Sequence, residues 1–579
     1  MSESRSASPP EAEQAARDGG LDPCAGLTEA QARAVRHEGD LLVLACPGSG
    51  KTRMLVARAI ACLQRPGRRV VLCTFTRAAA QEMKERIRAQ LSGTDVRQRL
   101  AVGTFDALIV RQARRHLNLG RLPTAMESRQ LIERVTERVH GPVGSGVSRK
   151  DVAQAIGQEN RRLTPGREEG MAADYWRIYS ELLHGDGLVD LAAMARAVIH
   201  GMEAGEVAPY RAQDVLVDEF QDADELQLAW LRRHALAGST ITVVADDDQS
   251  IYGFRSALGA GGLRVLQEEL DAERVDLTRC YRCGSSIVDA AARLIQHNHE
   301  RFDKAIHSWA GLEGSVETRL APSWQEEQER IRLELAGWIH QGCRPDGTLP
   351  SAALLARTNA LLDELELAVV AGGLRAIRSA GGSIWQGEGA GVVYSLLEAI
   401  EGDTLAVQRA LQVLGRLAGI GNQELQRAGT AAAVGGLSGS LSCDLSTGSE
   451  RLVRALHRAQ SHLAAGRRAE AIASLDGWLA DLEEQVESER QARTLGIARR
   501  CLEIVGDGQG ALLGRLRRLI AQAQAGGSSE TDDELSGGPA VVLATLHGAK
   551  GLEFDRVWIA GVDEQRLPHR DGYSVEEER

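Results

Sequence analysis

Short apolar runs set between long helical stretches organise this chain. Leu41–Ala45 reads as a strand buried in a parallel sheet, since such strands are near-continuous apolar runs. Behind it, Met54, Leu55, Ala57, Ala59 and Ile60 supply the apolar positions of a helix. Asp214–Val217 and Ile241–Ala245 are two further short strands, each opening into an acidic loop. Val541–Leu543 and 556–560 read as strands near the far end, and Leu361, Leu365 and Ala368 have helical spacing. Residues 109–210 and Leu452–Val505 carry helical periodicity throughout. The expected fold class is α/β, with parallel sheets and mainly helical insertions.

The length of 579 residues allows three or four domains, and 43% hydrophobic with 26% charged residues is ordinary for a chain with ample core. There is no run of 18 apolar residues, so no membrane span is expected. Residues 1–22 are polar and rich in Ser, Glu and Ala, with no apolar signal-peptide core, and read as a disordered tail. A net charge of −12 argues mildly against a nucleic-acid partner, although net charge describes a single groove poorly. Among nine cysteines, Cys280 and Cys283 form a lone C-x-x-C. No second cysteine pair is spaced to complete a zinc site, though His297 and His299 lie nearby. A reduced pair in a cytoplasmic protein is the leading reading, with a metal site as the alternative. Lysine occurs at 51, 84, 150, 304 and 550 only, the other basic residues being arginine. Lys51 and Lys550 both sit in glycine-containing motifs, where a compact ammonium is not interchangeable with a guanidinium.

The chemistry begins at Cys46-Pro47-Gly48-Ser49-Gly50-Lys51-Thr52. Strand, glycine loop, Lys-Thr and helix is the context of a phosphate-binding loop, with Ala45 where the full pattern has glycine. Amides of Gly48, Ser49 and Gly50 and the helix N-terminus would hold phosphate oxygens. Lys51 would reach the β and γ phosphates, and Thr52 would ligate Mg2+. The acidic pair Asp218-Glu219 follows a strand, where open α/β sheets place ligands. Asp218 would hold Mg2+, and Glu219 would orient or deprotonate the attacking water. Gln249, after the third strand, would report the γ-phosphate. Its loop also carries Tyr252, Phe254 and Arg255, suited to stacking on bases and touching the backbone, with core packing as the other reading of Phe254.

In this order, the motifs resemble those of superfamily 1 DNA helicases of the UvrD/Rep/PcrA type, from Leu27 to Pro568. Gly26-Leu27-Thr28-Glu29-Ala30-Gln31 resembles the glutamine motif, which implies Gln31 as an adenine reader. Thr74-Phe75-Thr76-Arg77 and Gly103-Thr104-Phe105-Asp106 resemble the next two motifs, with Arg77 and Asp106 standing where the family usually has Asn and His. The resemblance implies that Tyr281 packs on adenine and Arg282 reaches the γ-phosphate from a second lobe. Arg301–Lys304 and Ala353–Asn359 resemble later second-lobe segments. Thr545-Leu546-His547-Gly548-Ala549-Lys550-Gly551-Leu552-Glu553 resembles the fifth motif, implying ribose binding by Glu553 and DNA contacts from Thr545 and His547. Phe75 is expected on the same DNA track.

The implied fold is two RecA-like lobes, each carrying a mainly helical insertion. Residues 23–108 and 211–280 would form the ATP-binding lobe, with 109–210 inserted. Residues 281–384 and 540–579 would form the second lobe, with 385–539 inserted. This second insertion includes flexible segments: 426–448 is rich in Gly, Ala and Ser, and 526–538 reads as an acidic linker. The arginines of Leu452–Val505 are read as a solvated face, with a DNA-contacting face as the alternative. ATP and Mg2+ are the expected cofactors and single-stranded DNA or a single/double-strand junction the expected partner. A nuclease or repair protein partner is left open. The expected activity is 3′–5′ translocation and strand separation. The acidic run at Glu576–Glu578 leads, in the family, into a final motif that supplies a second arginine. The alternative expectation is therefore a nucleotide-gated DNA-binding or regulatory subunit with weak turnover.

Overall fold

The computed structural model describes residues 22–91, 94–141, 147–309, 311, 313–340, 350–441, 445–525, 540–564, 566–567, 569 and 576. The tail 1–21 and the acidic linker 526–538 lie outside these. The chain divides into two compact units, Met1–Thr318 with Asp571–Arg579, and Arg319–Arg570.

The first unit is built on a six-stranded sheet in the order β3-β2-β4-β5-β1-β6, with every adjacent pair parallel. Its strands are β1 (Leu41–Ala45), β2 (Val70–Thr74), β3 (Leu100–Thr104), β4 (Asp214–Val217), β5 (Thr240–Ala245) and β6 (Glu273–Leu277). The apolar runs read from the sequence are β1, β4 and β5, and all three are buried on both faces apart from the first residue of β5. Because β4, β5 and β1 are neighbours and parallel, the loops leaving their carboxyl ends stand side by side, about 5 Å apart strand to strand.

Helix α1 (Glu29–Arg36) is started by a capping box between Thr28 and Gln31. Helix α2 (Lys51–Gln64) follows β1 directly. Arg58 of α2 is buried, and its guanidinium donates to the carbonyls of Ala34 (2.6 Å) and His37 (2.9 Å) and to Thr242 Oγ1 (2.8 Å). One side chain thus satisfies orphan carbonyls at the end of α1 and fastens α1, α2 and β5 together. Helices α3 (Arg77–Gln90) and α4 (Phe105–His116) leave β2 and β3, each capped by a threonine, Thr76 and Thr104. Beyond them come helices Ala125–His140, Arg149–Asn160, Met171–Gly185 and Leu191–Glu203. The first three enclose their own core around Leu131, Val135, Ile156 and Leu183.

After β4, helix α5 (Glu225–Leu236) covers the sheet with Trp230, whose indole donates to Gln112 Oε1 at 2.9 Å. Past β6, the short parallel strands β7 (Arg279–Cys280) and β8 (His307–Ser308) flank helix α6 (Ser285–Ile295).

The second unit holds a four-stranded parallel sheet, β10-β11-β9-β12, from β9 (Ala352–Ala356), β10 (Arg375–Arg378), β11 (Ala540–Thr545) and β12 (Arg556–Ile559). Leu362 and Leu365 of helix Asn359–Ala371 cover it. Among the described residues, seven helices between Glu388 and Ala525 enclose a separate apolar core around Leu396, Leu414, Leu456, Leu479 and Leu502. The Gly-, Ala- and Ser-rich stretch is helical over Asn422–Leu441, where its alanines favour helix, and is broken at Gly435 and Gly436, the latter at φ 59°. The fold is α/β of the RecA-like helicase type, with parallel sheets and large helical insertions.

Candidate active site

The loop after β1 turns on Gly48 (φ 68°) and Gly50 (φ 79°), both in the left-handed region that glycine reaches without strain. Each is also needed for close approach. A Cβ on Gly48 would lie 2.6 Å from the Cβ of Arg282, and one on Gly50 would lie 2.7 Å from Nε2 of Gln31. Gly50 caps α2 without any side-chain hydrogen bond, so the first amides of the helix keep the orientation that binds anions.

Lys51 begins α2 and pairs with Glu219, its Nζ lying 3.0 Å from Oε1 and 3.2 Å from Oε2. Burial works to lower the Lys51 pKa, but Glu219, Asp246 and Asp218 outweigh it and raise it, so the ammonium is retained. Glu219 sits at φ 53°, an uncommon backbone for a non-glycine residue, at the tight turn leaving β4. Gln221 donates to Glu219 Oε2 at 2.5 Å and accepts from the Asp246 amide at 3.0 Å. Asp218 is buried, and its pKa is pushed upward by that burial and by Glu219, against the pull of Lys51. Gln249 donates to Asp246 Oδ2 at 2.7 Å. Thus Lys51, Asp218, Glu219 and Gln249 converge at the ends of three adjacent strands.

Thr52 is half-buried one residue into α2, and the Ser49 hydroxyl is buried without a hydrogen-bond partner among the described residues. The Thr52 hydroxyl and the Asp218 carboxylate are hard oxygen donors of the kind Mg2+ takes. Gln31 uses its side chain twice. Its Oε1 accepts from Thr28 N–H at 3.0 Å, and its Nε2 donates to Ser49 O at 2.8 Å, which sets α1 against the phosphate loop.

The Tyr281–Arg282 pair lies in this same compact unit. Tyr281 N–H donates to Gly48 O at 2.9 Å, and the tyrosine ring lies 5.3 Å from that of Trp309. Arg282 is exposed.

Sequence reasoning named the segment Arg301–Lys304 without a role for it. Lys304 is buried and donates to Asp246 (2.9 Å), Asp247 (2.5 Å) and the Ala45 carbonyl (3.5 Å). Burial alone would lower its pKa, but Asp246, Asp247 and Asp248 raise it. Arg301 grips Asp248 with two bonds of 2.8 and 3.0 Å, and the Phe302 amide donates to Asp247 at 2.7 Å. The three aspartates are close enough to share a cation, and the Lys304 ammonium serves as one. Lysine scarcity was the available signal, since Lys304 is one of only five lysines.

The aromatic residues stand on neighbouring loops. Phe75, at the end of β2, is half-buried edge-on to Phe105, with ring centroids 5.7 Å apart. Tyr252 and Phe254 are also half-buried, and the exposed Arg255 lies 5.3 and 5.5 Å from their ring centres. In the second unit, Thr545 Oγ1 accepts from Gly548 N–H at 3.0 Å, shaping the turn that carries half-buried His547, and Glu553 is exposed.

Glycine loop, an acidic pair with Asp218 buried and Glu219 half-buried, and a polar strand-end loop on a parallel sheet define a P-loop nucleotide-hydrolase class of protein. The particular family follows from comparison. Residues 27–260 match the UvrD/REP helicase N-terminal domain, and residues 441–579 match the UvrD-like helicase C-terminal domain. DNA helicase II of Escherichia coli is 29% identical across 93% of this chain and 80% of its own length. ATP-dependent DNA helicase PcrA of Leuconostoc citreum is 27% identical across 94% of this chain and 77% of its own. The chain belongs to the UvrD/Rep/PcrA family of superfamily 1 DNA helicases. Among the described residues, no helix is long and apolar enough to cross a membrane.

Proposed function

We propose that the chain is an ATP-dependent motor that moves 3′ to 5′ on single-stranded DNA and separates strands at a single/double-strand junction. The observation that carries this is the convergence of Lys51, Asp218, Glu219 and Gln249 at three adjacent strand ends, beside a loop of aromatic residues and arginine.

Lys51 would leave Glu219 for the β and γ phosphates of ATP, while amides of Gly48, Ser49 and Gly50 hold the phosphate oxygens. Glu219, freed from its ion pair, takes a proton from the attacking water. Thr52 and Asp218 would hold Mg2+, which when bound neutralises phosphate charge. Asp218, whose ionised form is disfavoured by burial and by Glu219, would be favoured in that form by a bound cation. Gln249 answers to the γ-phosphate, and Arg282 donates to charge developing there. Tyr281 and Gln31 meet the adenine, Gln31 with the donor and acceptor capacity left after its two protein bonds. Glu553 is assigned to the ribose. Phe75, Tyr252, Phe254, Arg255, Thr545 and His547 are assigned to DNA. Gln249 and Tyr252 share one short loop, so phosphate state and base stacking move together.

The lobe assignment proposed for this activity is 23–108 with 211–280, and 281–384 with 540–579. DNA repair, a cytoplasmic setting and a nuclease or repair partner complete the reading. The relatives carry helicase names, which does not favour the alternative of a nucleotide-gated subunit without turnover. The test is strand separation of duplexes bearing a 3′ or a 5′ single-stranded tail, with Mg2+ and ATP. ATP-dependent separation of the 3′-tailed duplex alone is expected, and preference for the 5′ tail overturns the polarity.

A further inference from the structure

We propose that Cys280 and Cys283 are a redox modification site, oxidised by a hydroperoxide to a disulfide that displaces Tyr281 and Arg282 and slows ATP turnover. This rests on the function proposed above, because the two enclosed residues are those assigned to the nucleotide.

Cys280 ends β7, and Tyr281, Arg282 and Cys283 follow it in the turn that leads to α6. Cys280 Sγ accepts the Cys283 N–H at 3.4 Å, so the second cysteine already faces the first across the turn. Cys283 directly precedes Gly284, which caps α6 with no side-chain hydrogen bond. Hydrogen bonding from the Cys283 side chain, working against burial and aided by the amides of Cys283 and Arg282, brings the Cys280 thiol down to about 6. Burial pushes the thiols of Cys24, Cys46, Cys62, Cys73 and Cys501 the other way. Cys46 packs beside Cys280, but its thiol is pushed up to about 12 and does not compete. Cys280 is 2% exposed and Cys283 half-buried, so an oxidant meets Cys283 first.

The step balances with hydrogen peroxide. The Cys283 sulfur attacks one peroxide oxygen; an S–O bond forms, the O–O bond breaks, and the Cys283 thiol proton passes to the leaving hydroxide, which departs as water. The Cys280 thiolate then attacks the Cys283 sulfur; the S–S bond forms, the S–O bond breaks, and the leaving hydroxide takes up the proton that Cys280 had released to solvent, giving the second water. Two thiols lose two electrons, and peroxide is reduced to two waters.

The consequence follows from how tightly the turn meets the phosphate loop. Gly48 O accepts the Tyr281 N–H at 2.9 Å. A Cβ on Gly48 would stand 2.6 Å from Arg282 Cβ and 3.2 Å from Cys280 Sγ. Forming the S–S bond takes the Cys280 sulfur from its amide donor and tightens a turn that has no slack on that side. Arg282 then loses alignment.

The experiment treats the whole chain with hydrogen peroxide, then with dithiothreitol, alongside Cys283→Ser. Tryptic mapping under non-reducing conditions reads the linkage, because cleavage after Arg282 leaves the two cysteines on separate peptides. DNA-stimulated phosphate release and ATP affinity read the effect. The expected result is a Cys280–Cys283 linkage, turnover lowered about tenfold or more and restored by dithiothreitol, and a resistant Cys283→Ser variant with unchanged basal turnover. Failure of the linkage to form, linkage with unchanged turnover and ATP affinity, or equal inhibition of Cys283→Ser overturns the proposal. A reduced chain with no turnover overturns the proposed function instead, and the linkage with its effect on ATP affinity still decides this inference.

Discussion

Asp218, proposed as a Mg2+ ligand, works against stability in the free protein. Its folded pKa is raised, by burial first and by Glu219 second. The sign follows: protonated Asp218 is the form the fold prefers, so its stabilising contribution is present below the ordinary carboxylate range and is lost as pH rises through the raised value. Asp218→Asn is therefore expected to raise stability at neutral pH by roughly 1 kcal/mol in the absence of nucleotide, while abolishing turnover. Denaturant melts at pH 7 and pH 4.5 check this, since the advantage should shrink at the lower pH. Lys304 is the opposite case. Removing it by Lys304→Met leaves buried Asp246 and Asp247 without their cation, and about 3–5 kcal/mol of stability should go with it. A melt showing wild-type stability would contradict that role. The two residues also differ in legibility. Asp218 follows an apolar run and precedes Glu219, a local pattern that a sequence displays. Lys304 acts on residues 56 to 58 positions away, and no local pattern carries that pairing.

The elements divide in the same way. β1, β4 and β5 were legible because both of their faces are buried and their residues form continuous apolar runs. β10, Arg-Ala-Ile-Arg, is half-buried throughout and carries no such run. β11 enters its sheet between β10 and β9 from more than 160 residues away, a pairing that periodicity cannot reach. Helix α5 was also silent in the sequence, yet it supplies a buried histidine. His234 accepts the Tyr210 N–H on Nε2 at 3.1 Å and its Nδ1 donates to the Trp230 carbonyl at 2.9 Å. Burial lowers its pKa to about 4. The unfolded chain takes up this proton near pH 6.5, before the folded chain does, so stability is lost as pH falls from there toward 4. The expected loss is up to about 3 kcal/mol. His234→Gln should be less stable at pH 7 but show a shallower decline on acidification. Parallel slopes for the two proteins would contradict this reading.

At the scale of the whole molecule, a six-stranded and a four-stranded parallel sheet and two sets of inserted helices are held by one chain, with the proposed nucleotide site concentrated on the six-stranded sheet. The acidic net charge of −12 does not disfavour this activity, because grip is assigned to a few aromatic and arginine side chains rather than to a basic body. The most direct test of the central claim is steady-state phosphate release from ATP with Mg2+, measured with and without single-stranded DNA, for the wild type and for Lys51→Ala. The account predicts turnover that rises when DNA is added and falls about 100-fold or more in Lys51→Ala. Turnover indifferent to Lys51, or absent with and without DNA, would contradict it.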